Sequence, residues 1–143
     1  MNDRSVRLAD VKLGDELPAL SIPFNVTSVM AAAIATRDYQ PVHHDVERAR
    51  ELGSETVFTS THTATAYLER LVLAWAGPGA FLRSLKLRLG VPNYAGDTLL
   101  LSGRVTAVDL ASRCVSVEAV GTNSRGEHVH AELVAVLKES HDE

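Results

Sequence analysis

Asp38 and His43 stand five residues apart in the segment Arg37-Asp38-Tyr39-Gln40-Pro41-Val42-His43. A carboxylate and an imidazole brought to one point can orient each other, or share a water and remove its proton, which is general acid–base chemistry near neutral pH. Pro41 disfavours helical geometry at Gln40, so the segment reads as a loop in which both side chains are free to converge. The same pair in a polar loop also serves as a cap or a surface pair, and spacing alone leaves those readings open. A second candidate is Thr59-Ser60-Thr61, where the longest helical signal begins. The first turn of a helix leaves backbone N–H groups free and adds positive potential, so a carbonyl bound there would have its enolate stabilised. An ordinary N-cap at Ser60 or Thr61 accounts for the same residues.

Other polar residues carry less. His44 and Asp45 adjoin His43, but ligand spacing is absent elsewhere, so no metal is expected. His62 falls in the first turn of the long helix and can line a pocket, although packing or exposure is the ordinary fate of an isolated histidine. His128 and His130 share a face of the last strand and are expected as a solvated or interface-facing pair. Cys114 has no second cysteine to pair with and reads as a structural thiol.

The elements that must position these groups follow from periodicity. The alanine-rich run Ser28 to Thr36, with Thr27 as its cap, predicts a short helix that delivers the chain to the Asp38–His43 loop. Asp45 is placed to cap a second short helix running through Glu51 and stopped by Gly53. The central helix puts Ala64, Leu68, Leu71, Val72 and Trp75 on one face and ends at Trp75-Ala76-Gly77-Pro78-Gly79. The period then changes from helix to strand. Leu85, Leu87, Leu89 and Val91 alternate with polar residues or glycine, and strands are expected over Thr98 to Val108, Arg113 to Val120 and His128 to Leu137. Turn signals at Ala95-Gly96-Asp97, Asp109 to Ser112 and Asn123 to Gly126 make these strands antiparallel neighbours. Leu17 to Val26, interrupted by Pro18 and Pro23, suits an edge strand or an extended arm. A long helix with an apolar face and a meander with an apolar face are reconciled by wrapping the sheet around the helix, an α+β fold.

The 143 residues fit one domain, 1–143, with 45% hydrophobic and 22% charged residues. A formal charge of −4 argues against a nucleic-acid partner held through phosphates. Neither a signal-peptide stretch nor a membrane span is read in the sequence, and a cytoplasmic location is expected.

Asp38-Tyr39-Gln40-Pro41-Val42-His43 resembles the Asp-x-Asn-Pro-x-His motif of MaoC-like enoyl-CoA hydratases, with Gln40 in place of the asparagine. The element order is similar too, since in that family the motif loop precedes the central helix of a hot-dog fold. ATRDYQPVHHD, WAGPGA and LRLGVPNYAGDTLLLSG further resemble the small catalytic subunit of the actinobacterial steroid side-chain enoyl-CoA hydratases. The resemblance implies that Asp38 and His43 are catalytic and that the backbone N–H of Ser60 receives the thioester oxygen. It implies water addition to an acyl-CoA, with a steroid 17(20)-enoyl-CoA giving a 17-hydroxy acyl-CoA. No cofactor is expected, because CoA is part of the substrate. The implied partner is a non-catalytic MaoC-like subunit fused to an OB-fold domain, in an α2β2 heterotetramer.

Rival readings keep the fold and change the role. A homodimeric (R)-specific hydratase of short or medium chains uses the same loop. A hot-dog thioesterase would use an acid on or near the central helix, where Glu69 stands alone and beside Arg70. A non-catalytic scaffold would not need the Asp38/His43 pair. Lys86 and Arg88 on one strand face could meet CoA phosphates, but a charged outer face needs no ligand.

Overall fold

The computed structural model describes residues 5–138, so residues 1–4 and 139–143 of the expected domain lie outside the described residues. In chain order the elements are β1 (Glu16–Pro23), α1 (Val26–Ala35), α2 (Val46–Glu51), α3 (Thr61–Ala76), β2 (Phe81–Leu89), β3 (Thr98–Asp109), β4 (Cys114–Asn123) and β5 (Gly126–Val136). Single 3-10 turns lie at Leu8–Asp10 and Pro41–His43. The strands form one sheet in the order β1-β3-β4-β5-β2, every neighbouring pair antiparallel. β1 is an edge strand, as its prolines require, and its register with β3 shifts between Leu17 and Leu20, where Pro18 has no N–H to offer.

The sheet wraps α3, the hot-dog arrangement. Leu68, Leu71 and Val72 of α3 are buried against Leu99, Leu101, Val105, Val117, Ala131 and Leu133 of the sheet. Each such aliphatic side chain contributes about 1.5–3 kcal/mol by leaving water. Close approach of helix and sheet depends on glycine. A Cβ at Gly103 would sit 3.3 Å from Leu71 Cδ2 and 3.2 Å from Val117 Cγ1, and one at Gly121 would sit 2.7 Å from both Leu101 and Val129. Ala76 completes the inward face, while Trp75, whose spacing predicts the same face, is only half-buried. Gly77 at φ 84° ends the helix in a conformation that larger residues resist.

Three expectations need correction. The first helix begins at Val26, because Asn25 rather than Thr27 is its cap. Asn25 Oδ1 accepts the Ser28 N–H at 2.8 Å and Ser28 Oγ accepts the Asn25 N–H at 2.9 Å, a reciprocal box that draws Val26 and Thr27 into the first turn. β2 begins at Phe81 and stops at Leu89, although Gly90 and Val91 still bond back to the carbonyls of His128 and Glu127. That return also removes His128 from solvent. His128 is 2% exposed and its Nδ1–H donates to the Val91 carbonyl at 2.6 Å, whereas His130 is half-buried with Nε2 3.1 Å from Glu118. The pairing of β5 with β4 shifts register here, from Val129 opposite Gly121 to Glu127 opposite Thr122, so His128 falls at an irregularity and the alternation that would put it on the face of His130 is broken.

Cys114 is buried at the start of β4, where its sulfur accepts from Arg83 at 3.3 Å. Among the described residues no helix is long and apolar enough to cross a membrane.

Candidate active site

The site is built first by the way α1 ends. The Arg37 N–H donates to the Ile34 carbonyl at 3.1 Å and the Asp38 N–H to the Ala33 carbonyl at 2.9 Å, with Arg37 at φ 55°. This is a Schellman turn with arginine in the left-handed position that glycine usually takes, and it swings Asp38 off the helix axis. Asp38 Oδ1 accepts the Gln40 N–H at 3.3 Å, which leaves Oδ2 to face the interior of the site.

Gln40 is extended, as a residue before proline should be, and Pro41 opens the 3-10 turn that ends at His43. The segment expected as a loop is thus a tight turn at its His43 end. The neighbouring polar residues are committed to structure. Asp45 caps α2 by accepting the Arg48 N–H at 3.0 Å, and His44 Nε2 lies 3.1 Å from the Tyr39 carbonyl.

His43 is 8% exposed, with its ring edge-on to Phe58 at a centroid distance of 5.0 Å. Its Nδ1 lies 2.7 Å from the Phe58 carbonyl. A carbonyl can only accept, so Nδ1 carries the hydrogen and, in the neutral imidazole, the lone pair sits on Nε2. That nitrogen is 3.6 Å from Asp38 Oδ2. A lone pair and a carboxylate do not bond each other directly. A water between them can donate one hydrogen to each and keep a lone pair for attack, which is how this arrangement would activate a nucleophile.

The start of α3 is tied to the pair from both sides of Ser60. Phe58, the anchor of His43, precedes it by two residues, and the Thr59 N–H donates to the Asn93 carbonyl at 3.0 Å. His62 follows it by two residues, with Nδ1 3.5 Å from the same Asp38 Oδ2. The Ser60 hydroxyl is the helix cap, accepting the Thr63 N–H at 3.3 Å, which is the ordinary capping role the sequence left open for it. Nothing but the position of His62 in the first helical turn signals its approach to Asp38 in the sequence.

The residues set aside from the site lie elsewhere. Glu69 and Arg70 are exposed, and Arg70 lies 5.9 Å over the ring of Tyr67. A cleft of about 360 Å³ on the outer sheet face is lined by Lys86, Arg88 and His130. Two of these side chains have protein partners, since Arg88 faces Glu127 at 3.9 Å and His130 faces Glu118 at 3.1 Å. Asp38, His43 and the N-terminus of α3 converge away from that cleft.

No family model matches the chain. It is 42% identical over 128 residues, 90% of its length and 98% of the relative's, to the 3-oxo-4,17-pregnadiene-20-carboxyl-CoA hydratase beta subunit of Mycobacterium tuberculosis. Among solved structures, a chain of the ChsH1-ChsH2 complex from Mycobacterium tuberculosis is 41% identical, with a TM-score of 0.86 and coverage of 90% of this chain and 99% of that one. A MaoC-like dehydratase from Rhodospirillum rubrum is 25% identical, with a TM-score of 0.77 and coverage of 96% and 100%. Near-complete coverage at this identity, with a sheet that wraps one long helix, places the chain in the hot-dog family of MaoC-like enoyl-CoA hydratases.

Proposed function

We propose that the chain is the catalytic subunit of an enoyl-CoA hydratase that acts on a steroid 17(20)-enoyl-CoA. The observation that carries the reading is His43 Nε2, its hydrogen committed at Nδ1, facing Asp38 Oδ2 at 3.6 Å beside the N-terminus of a 16-residue helix. In this reading Asp38 and His43 hold a water and take its proton, and the water oxygen bonds to C17, the carbon β to the thioester. The electron pair of the double bond moves through C20 into the thioester oxygen, where the backbone N–H at Ser60 and the helix dipole stabilise the enolate. A proton returned to C20 completes a tertiary 17-hydroxy acyl-CoA. Every atom added comes from water, and no cofactor is consumed.

The substrate follows from the relative, which is named for a pregnadiene carboxyl-CoA. The partner follows from a similar chain solved in a two-component complex. We extend this to a MaoC-like subunit fused to an OB-fold domain, an α2β2 assembly and a cytoplasmic location. An association surface is supported by β2, an edge strand on which Phe81 is 56% exposed and Leu89 39%.

The test follows the conjugated enoyl-thioester absorbance with the steroid substrate and with crotonyl-CoA, for the chain alone and co-expressed with the candidate partner. Steroid turnover by the complex, abolished in His43→Ala, is expected. Crotonyl-CoA turnover by the chain alone would point instead to a homodimeric general hydratase.

A further inference from the structure

We propose that His62 is a positioning residue for this reaction, holding the Asp38 carboxylate against the N-terminus of α3; the inference rests on the hydratase reading above. The two oxygens of Asp38 are differently occupied. Oδ1 accepts the Gln40 N–H, while Oδ2 is approached by two imidazoles, His43 Nε2 at 3.6 Å and His62 Nδ1 at 3.5 Å. His43 cannot anchor Oδ2 in its neutral form, because the hydrogen on Nδ1 is given to Phe58 and Nε2 is an acceptor. His62 makes no hydrogen bond among the described residues, and with its hydrogen on Nδ1 the ring can donate to Oδ2, 3.5 Å away.

Position on the fold gives this contact its meaning. The side chains of His43 and Asp38 are 10% and 16% exposed, and that of His62 is 64% exposed, so His62 approaches the pair from the solvent side. It is the second residue of α3, within the first turn whose free N–H groups receive the thioester oxygen in the proposed reaction. A bond from His62 to Asp38 therefore fixes the distance between the base and the oxyanion site through one rigid element. Without it, the carboxylate rests on one long bond from Gln40 and a turn strained at Arg37. A small displacement of a reacting group costs rate more than it costs binding.

The test compares His62→Ala, His62→Phe and His62→Asn in whichever preparation turns over the enoyl-CoA, with His43→Ala alongside and melting temperature measured throughout. Asparagine places a neutral donor close to the position of Nδ1, whereas phenylalanine keeps the volume without the donor. The expected result is a fall in kcat of about tenfold to a hundredfold for Ala and Phe, with KM within about twofold, and recovery of most of kcat by Asn. Full kcat in His62→Ala, a change confined to KM, or an Asn variant as slow as Ala would each overturn the role of His62. Retained turnover in His43→Ala would instead overturn the hydratase reading itself, so the two failures are distinguishable.

Discussion

At the scale of single residues, the histidines show how position decides chemistry. His128 is buried, and desolvation holds its pKa below the usual histidine value, with the bond to the Val91 carbonyl acting in the opposite direction and losing. Its depressed folded pKa means that the unfolded chain binds the extra proton first as pH falls below 6.5. Its contribution to stability is therefore complete above that value and is lost as pH falls through the folded pKa. The urea midpoint is expected to drop between about pH 7.5 and about pH 5.5, and His128→Asn, which keeps a donor for Val91, should flatten that slope. An unchanged slope would show that His128 does not carry it. In the sequence, Asp38 and His43 were legible because their spacing and Pro41 already define a loop that can bring them together. His62 was visible only as a first-turn residue, because its approach to Asp38 requires a turn at Arg37 and a helix docked beside it, neither of which is local. The burial of His128 was illegible for a similar reason, since it depends on a register shift between β4 and β5 at that residue and on Gly90 and Val91 returning along β5.

At the scale of elements, two backbone positions set the site's geometry. Arg37 occupies left-handed φ at the close of α1, where a β-branched side chain is strongly disfavoured. Arg37→Val should destabilise the fold by about 1–2 kcal/mol and lower activity by shifting Asp38, whereas Arg37→Gly should keep the melting temperature close to that of the parent. Equal melting temperatures for Val and Gly would contradict the turn described here. Gly121 lies where a Cβ would press on Leu101 and Val129 at 2.7 Å, so Gly121→Ala should cost about 1–3 kcal/mol in urea unfolding. The helix α3 and the meander β3-β4-β5 were legible because their periods are long and their turn residues explicit. The bounds of α1 and β2 were not. Asn25 and Ser28 act as a reciprocal pair that a search for a single cap at Thr27 passes over, and Phe81 joins β2 through pairing with Val136 rather than through its own pattern. Trp75 lies on the predicted apolar stripe near the helix end and packs against the core half-buried, while Ala76 beside it is fully buried.

At the scale of the whole molecule, the antiparallel sheet buries α3 while the loop after α1 and the first turn of α3 meet at one flank. The fold thus brings the Asp38–His43 pair and the first turn of α3 together from separate elements, and the proposed chemistry depends on their relative placement. Loss of the carboxylate's charge should be more damaging to turnover than to folding: Asp38→Asn is expected to lower kcat at least about a hundredfold with an unchanged urea midpoint. The central claim is that water is added to carbon and the thioester survives. The most direct measurement is mass spectrometry of the steroid enoyl-CoA product formed in H2(18)O by the active preparation. The expected product carries one heavy oxygen on the acyl chain of an intact CoA thioester, and it is absent in Asp38→Asn. Heavy oxygen in the carboxylate of a released acid, with free CoA, would contradict it and identify thioester hydrolysis.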